Sequence, residues 1–294
     1  MELETTATAT TRAPMERAIS RLAFILACLP ALLLAAPKPA PIHRTATVPI
    51  IDGRLNEACW KKAQPIRVVH PHDQTRKPPA TAPMIAKLAW DADYLYISYE
   101  VTDANLVALA TGRETGPPKN RRPQAVEYAP KKDLDLVEFF IAVDSHRVFW
   151  EIHHNAANHL NTLWIELPTT AQLEKIPKPS YSHITFHRNR HLPDDGPRTL
   201  QRAIRLKHKA NGQLSTPNQP NDRDTGYTGE LRLPWRSLSR SRKTTPAIGT
   251  ILSLLAVQLN GAQERAIYHS SGDGLQNLMY HYSAAQSPTF QLTD

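Results

Sequence analysis

Apolar and polar residues alternate along several short segments of the chain, a pattern typical of β-strands that bury one face. In residues 94–101 the apolar side chains of Leu95, Ile97, Tyr99 and Val101 share one face. Comparable segments predict strands over residues 84–90, 94–101, 136–143, 147–153, 164–167, 183–188, 200–206, 227–233, 251–259 and 289–293. Helical periodicity is nearly absent, so we expect an all-β fold, either an antiparallel β-sandwich or a barrel.

The segment over residues 51–60 precedes these strands and begins with the turn sequence Ile-Asp-Gly. Leu55, Ala58 and Cys59 then recur at near-helical spacing, which predicts a short amphipathic turn that buries Trp60. A second helical turn is predicted over residues 234–238, because proline favours the first position of a helix.

The loops are long and rich in proline. The chain contains 25 prolines and 11 glycines, and its polar or turn-rich segments cover residues 111–132, 168–179 and 211–226. With 41% hydrophobic residues, the chain can still bury a sizeable core. We therefore predict one domain over residues 42–294, with long loops inserted between its strands.

The N-terminal part has the layout of a secretory signal peptide. Arg17 and Arg21 precede an apolar run over residues 22–36, and a proline-rich stretch over residues 37–41 follows. The run is shorter than the ~20 residues that span a bilayer. We assign residues 1–41 to an N-terminal extension, a signal peptide and a linker. The protein is then expected to be exported, and to be periplasmic, extracellular or associated with the cell envelope.

Alternatives to a cleaved leader remain open. Met15 could be the true initiator, because the residues before it carry no apolar pattern. Residues 25–28 resemble a bacterial lipoprotein box, so a lipid anchor at Cys28 is one alternative and an uncleaved membrane anchor is another. If Cys28 leaves with the leader, Cys59 is the one remaining cysteine and no internal disulfide can form.

The formal net charge of +8 raises the question of an anionic partner. The basic residues are dispersed or fall in predicted loops such as residues 119–122 and 236–243. No DNA-binding or RNA-binding signature accompanies them, so we predict a solvated basic surface and no nucleic-acid partner. Contact with a membrane is expected only through the leader or a lipid at Cys28.

Five segments in order resemble the family 9 carbohydrate-binding modules. They are residues 51–60 (IDGRLNEACW), 88–97 (LAWDADYLYI), 101–103 (VTD), 135–141 (DLVEFFI) and 227–235 (YTGELRLPW). The resemblance extends roughly from residue 47 to residue 292. It implies an antiparallel β-sandwich of jelly-roll or immunoglobulin-like type, within the wider DOMON-like superfamily. It also implies an exported, non-catalytic module that binds plant or microbial polysaccharide or oligosaccharide during glycan degradation.

The resemblance places the sugar between two aromatic positions. Family members hold the ligand between two tryptophans, one just before the strand that here carries Glu138 and one close to the C-terminus. In this sequence the nearest residues are Tyr128 at the first position, and His281 and Tyr282 at the second. A tyrosine ring can stack on a sugar with less area than tryptophan, so we expect a cleft lined by these residues.

Polar contacts to the sugar are expected from the central strands. The family parallel lets Glu138 bind sugar hydroxyls, although an outward-facing charge on a half-exposed sheet is the alternative. On the following strand Glu151, His153 and the adjoining Asn155 are further candidates. Trp164 follows a polar stretch, and we predict it to be an exposed stacking platform.

Calcium binding is a further expectation from the resemblance. Some family members carry structural calcium, and Asp103, Asp135 and Asp144 stand at strand ends where oxygen ligands could meet. The chain has no contiguous calcium loop, so turn-capping aspartates are the alternative. The histidines near residue 153 match no zinc motif, and neighbouring strand residues point to opposite faces, so His153 and His154 are not expected to share a metal. No other cofactor is predicted.

Three other functions remain as alternatives. A haem or redox sandwich would need an axial ligand such as Met84, Met279 or a histidine. A glycosidase would need Glu138 and Glu151 at the separation of paired catalytic carboxylates. An inert scaffold at the cell envelope would need neither. The sequence contains no nucleophile elbow, P-loop or dinucleotide-binding fingerprint.

Overall fold

The fold consists of two β-sheets. The computed structural model describes residues 38–72, 76–108, 135–178, 180–187, 192, 199–219, 222–239, 246–261, 267–272 and 287–294. The residues from Pro39 to Asp294 form one compact unit. Within the described ranges, no helix has both the length and the apolar character needed to cross a bilayer.

The described secondary structure is mainly short strands. In chain order the strands are β1 Ala40–His43, β2 Ile66–Val68, β3 His70–Pro71, β4 Met84–Trp90, β5 Tyr94–Val101, β6 Leu136–Ser145, β7 Val148–His154, β8 Leu160–Glu166, β9 Thr185–His187, β10 Gln201–Leu206, β11 Tyr227–Pro234, β12 Ile251–Asn260, β13 Ile267–Ser270 and β14 Thr289–Thr293. The helices are α1 Ala58–Lys62, α2 Thr170–Leu173 and α3 Trp235–Leu238, with a 3-10 turn at Tyr181–His183.

The larger sheet has the order β1-β14-β12-β6-β7-β8-β9, with β13 beside β12 and β3 beside β13. The smaller sheet has the order β10-β11-β5-β4-β2. Strands β1 and β14 pair in parallel, whereas the pairs at the centre of both sheets are antiparallel. This arrangement confirms the predicted all-β sandwich.

The main core lies between the sheets and is built by alternate residues of each strand. On β6 the inward side chains are Val137, Phe139 and Ile141, which pack with Tyr99 of the smaller sheet and Trp150 of β7. The predicted burial of Trp60, Trp90, Trp150 and Trp235 is confirmed, because each is at most 3% exposed.

A second apolar cluster covers part of the outer face of the larger sheet. Phe140, Phe149, Ile165 and Leu255 project from that face, and Ile184 in the segment between β8 and β9 packs against them. Strands β6, β7 and β12 therefore bury side chains on both faces. Burial on both faces explains why apolar residues follow one another almost continuously along β6. A strand with one solvated face would instead alternate apolar and polar residues.

The segment over residues 51–60 packs on the outside of the smaller sheet. Trp60 lies in a small cluster with Ala89 and Tyr96. Gly53 has φ of +79°, and a Cβ atom on it would lie 2.8 Å from the backbone N of Arg205, so this turn requires glycine. The predicted turn and buried tryptophan are thereby confirmed.

All ten predicted strands are present, with ends that agree with the prediction or differ from it by up to four residues. The largest shift is in β8, which begins at Leu160, four residues before the predicted start. Strands β1, β2, β3 and β13 were not predicted, because segments of two to four residues are too short to show a period of two. Helix α3 begins at Trp235, and Pro234 serves as its N-cap residue instead of its first residue.

Candidate functional site

A row of polar side chains crosses the outer face of the larger sheet at its centre. Glu138 of β6 lies opposite His153 of β7, and His153 lies opposite Asn161 of β8. Their neighbours Val137 and Ile152 point into the main core, and the pleat therefore turns this row to the outer face. Antiparallel register thus brings together three residues that are far apart in sequence.

Glu138, Glu151 and His153 form a compact cluster, called here the outer-face triad. The Nε2 group of His153 donates a hydrogen bond to Oε1 of Glu151 at 2.6 Å and lies 3.6 Å from Oε1 of Glu138. One ligand atom from each of the three residues lies within 4.8 Å of the other two. The three residues are 1%, 2% and 3% exposed, so the cluster is buried. Each side chain has further interactions beyond these contacts.

Two asparagines flank the triad and carry unsatisfied polar atoms. The Oδ1 atom of Asn155 accepts hydrogen bonds from the backbone N–H groups of Ala157 and His159, at 3.1 and 3.0 Å. Its Nδ2 group and the Oδ1 atom of Asn161 are buried without a hydrogen-bond partner in the part of the chain that the structure describes. A buried polar atom without a partner costs about 1–3 kcal/mol, so this face has a donor and an acceptor suited to a polar ligand.

The prediction of Trp164 as an exposed stacking platform is wrong. Trp164 is 3% exposed and lies on the inner face of β8, directly opposite Trp150. The two rings meet edge to face, with centroids 5.0 Å apart. The polar residues before Trp164 belong to the same strand, and alternation turns Trp164 towards the core.

The predicted aromatic cleft residues Tyr128, His281 and Tyr282 lie outside the described residues, as does the side chain of Asp144. Their assignment therefore stays a prediction. Of the predicted polar contacts, the structure brings Glu138, Glu151 and His153 together and places Asn155 directly after the end of β7.

Asp103 and Asp135 anchor loops at one end of the sandwich. Asp135 accepts hydrogen bonds from the backbone N–H groups of Val107 and Gly261, at 2.6 and 2.8 Å. Asp103 accepts from Asn105 at 3.0 Å and from the side chain of Asn260 at 2.9 Å. All four carboxylate oxygens thus accept hydrogen bonds from N–H groups. Calcium needs six to eight oxygen ligands, and the assignment of Asp103, Asp135 and Asp144 to a calcium site stays a prediction.

Burial raises the pKa of Asp103 to about 6, and the nearby carboxylate of Asp224 adds to the rise. Asp224 itself accepts hydrogen bonds from the backbone N–H groups of Leu106 and Thr216, at 2.9 and 2.7 Å. This second anchor fastens the chain that follows β5. The aspartates at this end of the molecule therefore fix loop positions, which agrees with the alternative of capping aspartates.

His154 belongs to the sandwich interior and not to the triad. Its Nδ1 atom lies 2.6 Å from the hydroxyl group of Tyr99, and its Nε2 atom lies 2.8 Å from Oδ1 of Asn158. Burial lowers the pKa of His154 to about 3, so the ring is neutral at physiological pH. The expectation that His153 and His154 point to opposite faces is confirmed. Met84 is fully buried in the main core, where its thioether serves packing.

Two residues of interest were not predicted from sequence. Asn161 joins the triad row only through the β7–β8 register, although its polar character within a strand was a usable signal. Glu230 is buried under the segment over residues 51–60. It accepts hydrogen bonds from Gly53 N at 2.8 Å, Asp52 N at 3.1 Å and Trp60 Nε1 at 2.9 Å. The sequence signal for Glu230 was a charged residue between apolar residues of a predicted strand.

Comparisons with known proteins point to one family. Residues 51–156 match the family model described as carbohydrate family 9 binding domain-like. A family 9 carbohydrate-binding module of Caldicellulosiruptor kristjanssonii, solved with cellotriose, has a TM-score of 0.50 and 15% identity; the match covers 87% of this chain and 94% of that chain. A candidate carbohydrate-binding protein of Bacteroides uniformis has a TM-score of 0.54 and 13% identity, and the match covers 87% of this chain and 99% of that chain. Among curated proteins, no relative matches significantly.

Proposed function

We propose that this chain, with its family 9-like domain, is an exported, non-catalytic carbohydrate-binding module that acts during glycan degradation. The sugar would bind on the outer face of the larger sheet. The observation that carries the proposal is a buried donor of Asn155 and a buried acceptor of Asn161 that have no hydrogen-bond partner among the described residues, on the face that also holds two carboxylates and a histidine. The family match over residues 51–156 supports the class of ligand.

Sugar hydroxyl groups are both donors and acceptors, which suits this arrangement. The carboxylates of Glu138 and Glu151 accept hydrogen bonds from hydroxyl groups, and charged acceptors give stronger bonds than neutral ones. Nδ2 of Asn155 donates to a sugar oxygen, and Oδ1 of Asn161 accepts from a hydroxyl group. Because the triad is at most 3% exposed, a sugar contacts it only after local opening, and we expect slow association.

Stacking partners complete the proposed site. Tyr128, His281 and Tyr282 would supply aromatic faces for the apolar side of the sugar ring. Affinity is then expected to be modest, since sugars lose strong hydration on binding and offer little apolar area.

Binding without catalysis agrees with the geometry of the carboxylates. Oxygens of Glu138 and Glu151 come within 4.8 Å of each other, close to the ~5–5.5 Å separation of retaining glycosidases. However, Nε2 of His153 lies near both, at 3.6 and 2.6 Å, where a glycosidic bond would have to enter. We therefore propose that these carboxylates bind a ligand and do not cleave it.

The proposal is tested by retention of the purified chain on insoluble cellulose and xylan, with cellotriose as the first soluble ligand for calorimetry. Glu138→Gln should weaken binding at least about tenfold, as expected for loss of a charged hydrogen-bond acceptor. Glu166→Gln is the matched control, because Glu166 is a glutamate of the same sheet that contacts His187 and lies outside the triad. We expect its binding to equal that of the wild type.

If the folded wild type is retained on none of the polysaccharides tested, the proposal is contradicted and the scaffold alternative is favoured. Release of reducing sugar that disappears in Glu138→Gln would favour the glycosidase. A Soret band in the purified protein would favour haem. Export is tested separately, by whether the mature N-terminus found by mass spectrometry lies near residue 41.

A further inference from the structure

We infer that Glu138, Glu151 and His153 form a binding site for a divalent transition-metal cation of the Zn²⁺ class. Among the described side chains, this triad is the one group in which three carboxylate, histidine or cysteine ligand atoms lie so close together. The inference concerns the same face as the proposed sugar site but does not depend on sugar binding.

The ligand atoms already stand near the distances that a metal requires. In a tetrahedral zinc site with bonds of 2.0–2.2 Å, neighbouring ligand atoms are ~3.3 Å apart. Nε2 of His153 and Oε1 of Glu138 are 3.6 Å apart, and Nε2 of His153 and Oε1 of Glu151 are 2.6 Å apart. Small side-chain rotations that open the shorter contact and tighten the longer one would admit the ion.

The backbone beneath the ligands is held in place. Glu151 and His153 are two residues apart on β7, and Glu138 is the direct partner of His153 on β6. Both strands are central in the larger sheet and are paired on each side. Ligands on central strands are held more firmly than ligands on loops, so the three donors are preorganised.

Burial favours an ion over a larger ligand at the triad itself. A group of atoms less than 4.8 Å across cannot enclose a sugar ring, whereas it can surround a cation. A divalent cation at the triad would lie beside two buried carboxylates, and opposite charges at such short distance attract each other. The cation would therefore stabilise the arrangement that the fold imposes.

The donor set selects the class of metal. One imidazole nitrogen with two carboxylate oxygens is typical of Zn²⁺, Mn²⁺ and Fe²⁺ sites, whereas Ca²⁺ requires six to eight oxygens. The buried Oδ1 atom of Asn161, without a partner among the described residues and opposite His153 in the register, is suited to accept a hydrogen bond from a water molecule at the fourth coordination position.

The test is calorimetric titration of the metal-stripped full chain with Zn²⁺, in a non-coordinating buffer and without glycan. We expect one site per chain and an affinity that falls at least about tenfold in His153→Gln, since even outer-shell changes cost that much. His187→Gln is the matched control, because His187 also contacts a glutamate on the same sheet, at 3.2 Å, but belongs to no cluster of three ligand residues among the side chains that the structure describes. Its affinity for Zn²⁺ should equal that of the wild type.

Equal Zn²⁺ affinity in the wild type and folded His153→Gln would overturn the inference. If His153→Gln does not fold, the wild type loaded with Co²⁺ decides instead. The metal site is supported if the wild type gives a tetrahedral Co²⁺ absorption spectrum and the more conservative Glu138→Asp variant alters that spectrum. A spectrum that this variant leaves unchanged refutes the site. Neither measurement uses a glycan. If the metal inference fails, the proposed carbohydrate binding is therefore still judged separately, by retention on polysaccharide.

Discussion

Replacing Glu230 with glutamine should remove a pH dependence of folding stability. Glu230 is fully buried, and burial raises its pKa to about 7. The hydrogen bonds from Trp60, Gly53 and Asp52 act in the opposite direction, because N–H donors favour the charged form. The net rise means that the folded protein holds this proton more tightly than the unfolded chain does.

The size and sign of the effect follow from the two pKa values. The ordinary value is 4.5, and each unit of difference is worth ~1.4 kcal/mol, so Glu230 contributes on the order of 3 kcal/mol. Because the pKa is raised in the folded state, the contribution is fully present below pH 4.5 and is lost as the pH rises through about 7. The free energy of unfolding should therefore fall across this range.

The assay is urea unfolding of the wild type and Glu230→Gln at several values between roughly pH 5 and pH 8. The difference in unfolding free energy between the two proteins should shrink as the pH rises, since glutamine does not titrate. Glu100→Gln is the control, because Glu100 lies on the adjacent strand β5 with a half-exposed side chain paired with Lys207. Its curve should run parallel to that of the wild type.

A constant difference between the wild type and Glu230→Gln would refute the reasoning. That result would mean that the three N–H donors outweigh desolvation and keep Glu230 charged throughout. A fixed offset between the curves is compatible with either case. The side-chain amide nitrogen of glutamine is a donor, and it would face N–H groups from which the carboxylate accepts hydrogen bonds. The resulting loss of stability does not depend on pH.

Three further substitutions test the interior of the sandwich by denaturant unfolding. Trp164→Ala should lower the unfolding free energy by about 3–5 kcal/mol, because it removes the ring packed on Trp150, yet leave retention on polysaccharide unchanged. Tyr99→Phe should cost about 1–3 kcal/mol, because buried His154 loses the partner of its Nδ1 atom. Gly229→Ala should cost about 1–3 kcal/mol, since its Cβ would overlap the Tyr99 ring. If any of these three variants is as stable as the wild type, the packing described around that residue is contradicted.

Most of the fold could be predicted because its main strands are long enough to show their period. Strands β5, β6 and β7 have seven to ten residues, so their alternation fixes which side chains face the core. Strands β2 and β3 have three and two residues, and their positions depend on pairing with β4 and β13, which no local pattern reports.

The site was only partly predictable, because it depends on register. Glu138, Glu151 and His153 were each identified as candidates, but their approach to within 4.8 Å follows from Glu138 pairing with His153 across β6 and β7. The same non-local information places Trp164 opposite Trp150 in the core. A one-residue change of register would exchange the two faces and reverse both assignments.

The two proposals for the outer face are linked, because they share Glu138, Glu151 and His153. A cation held by three protein ligands retains an open coordination position, and a sugar hydroxyl group can fill it. The Nδ2 group of Asn155 and the Oδ1 atom of Asn161 have no hydrogen-bond partner among the described residues, and we expect them to bind the same sugar. The cation should therefore strengthen glycan binding, and reciprocity requires the glycan to strengthen cation binding by the same factor. A tenfold effect in each direction corresponds to a coupling of ~1.4 kcal/mol, about the energy of one hydrogen bond.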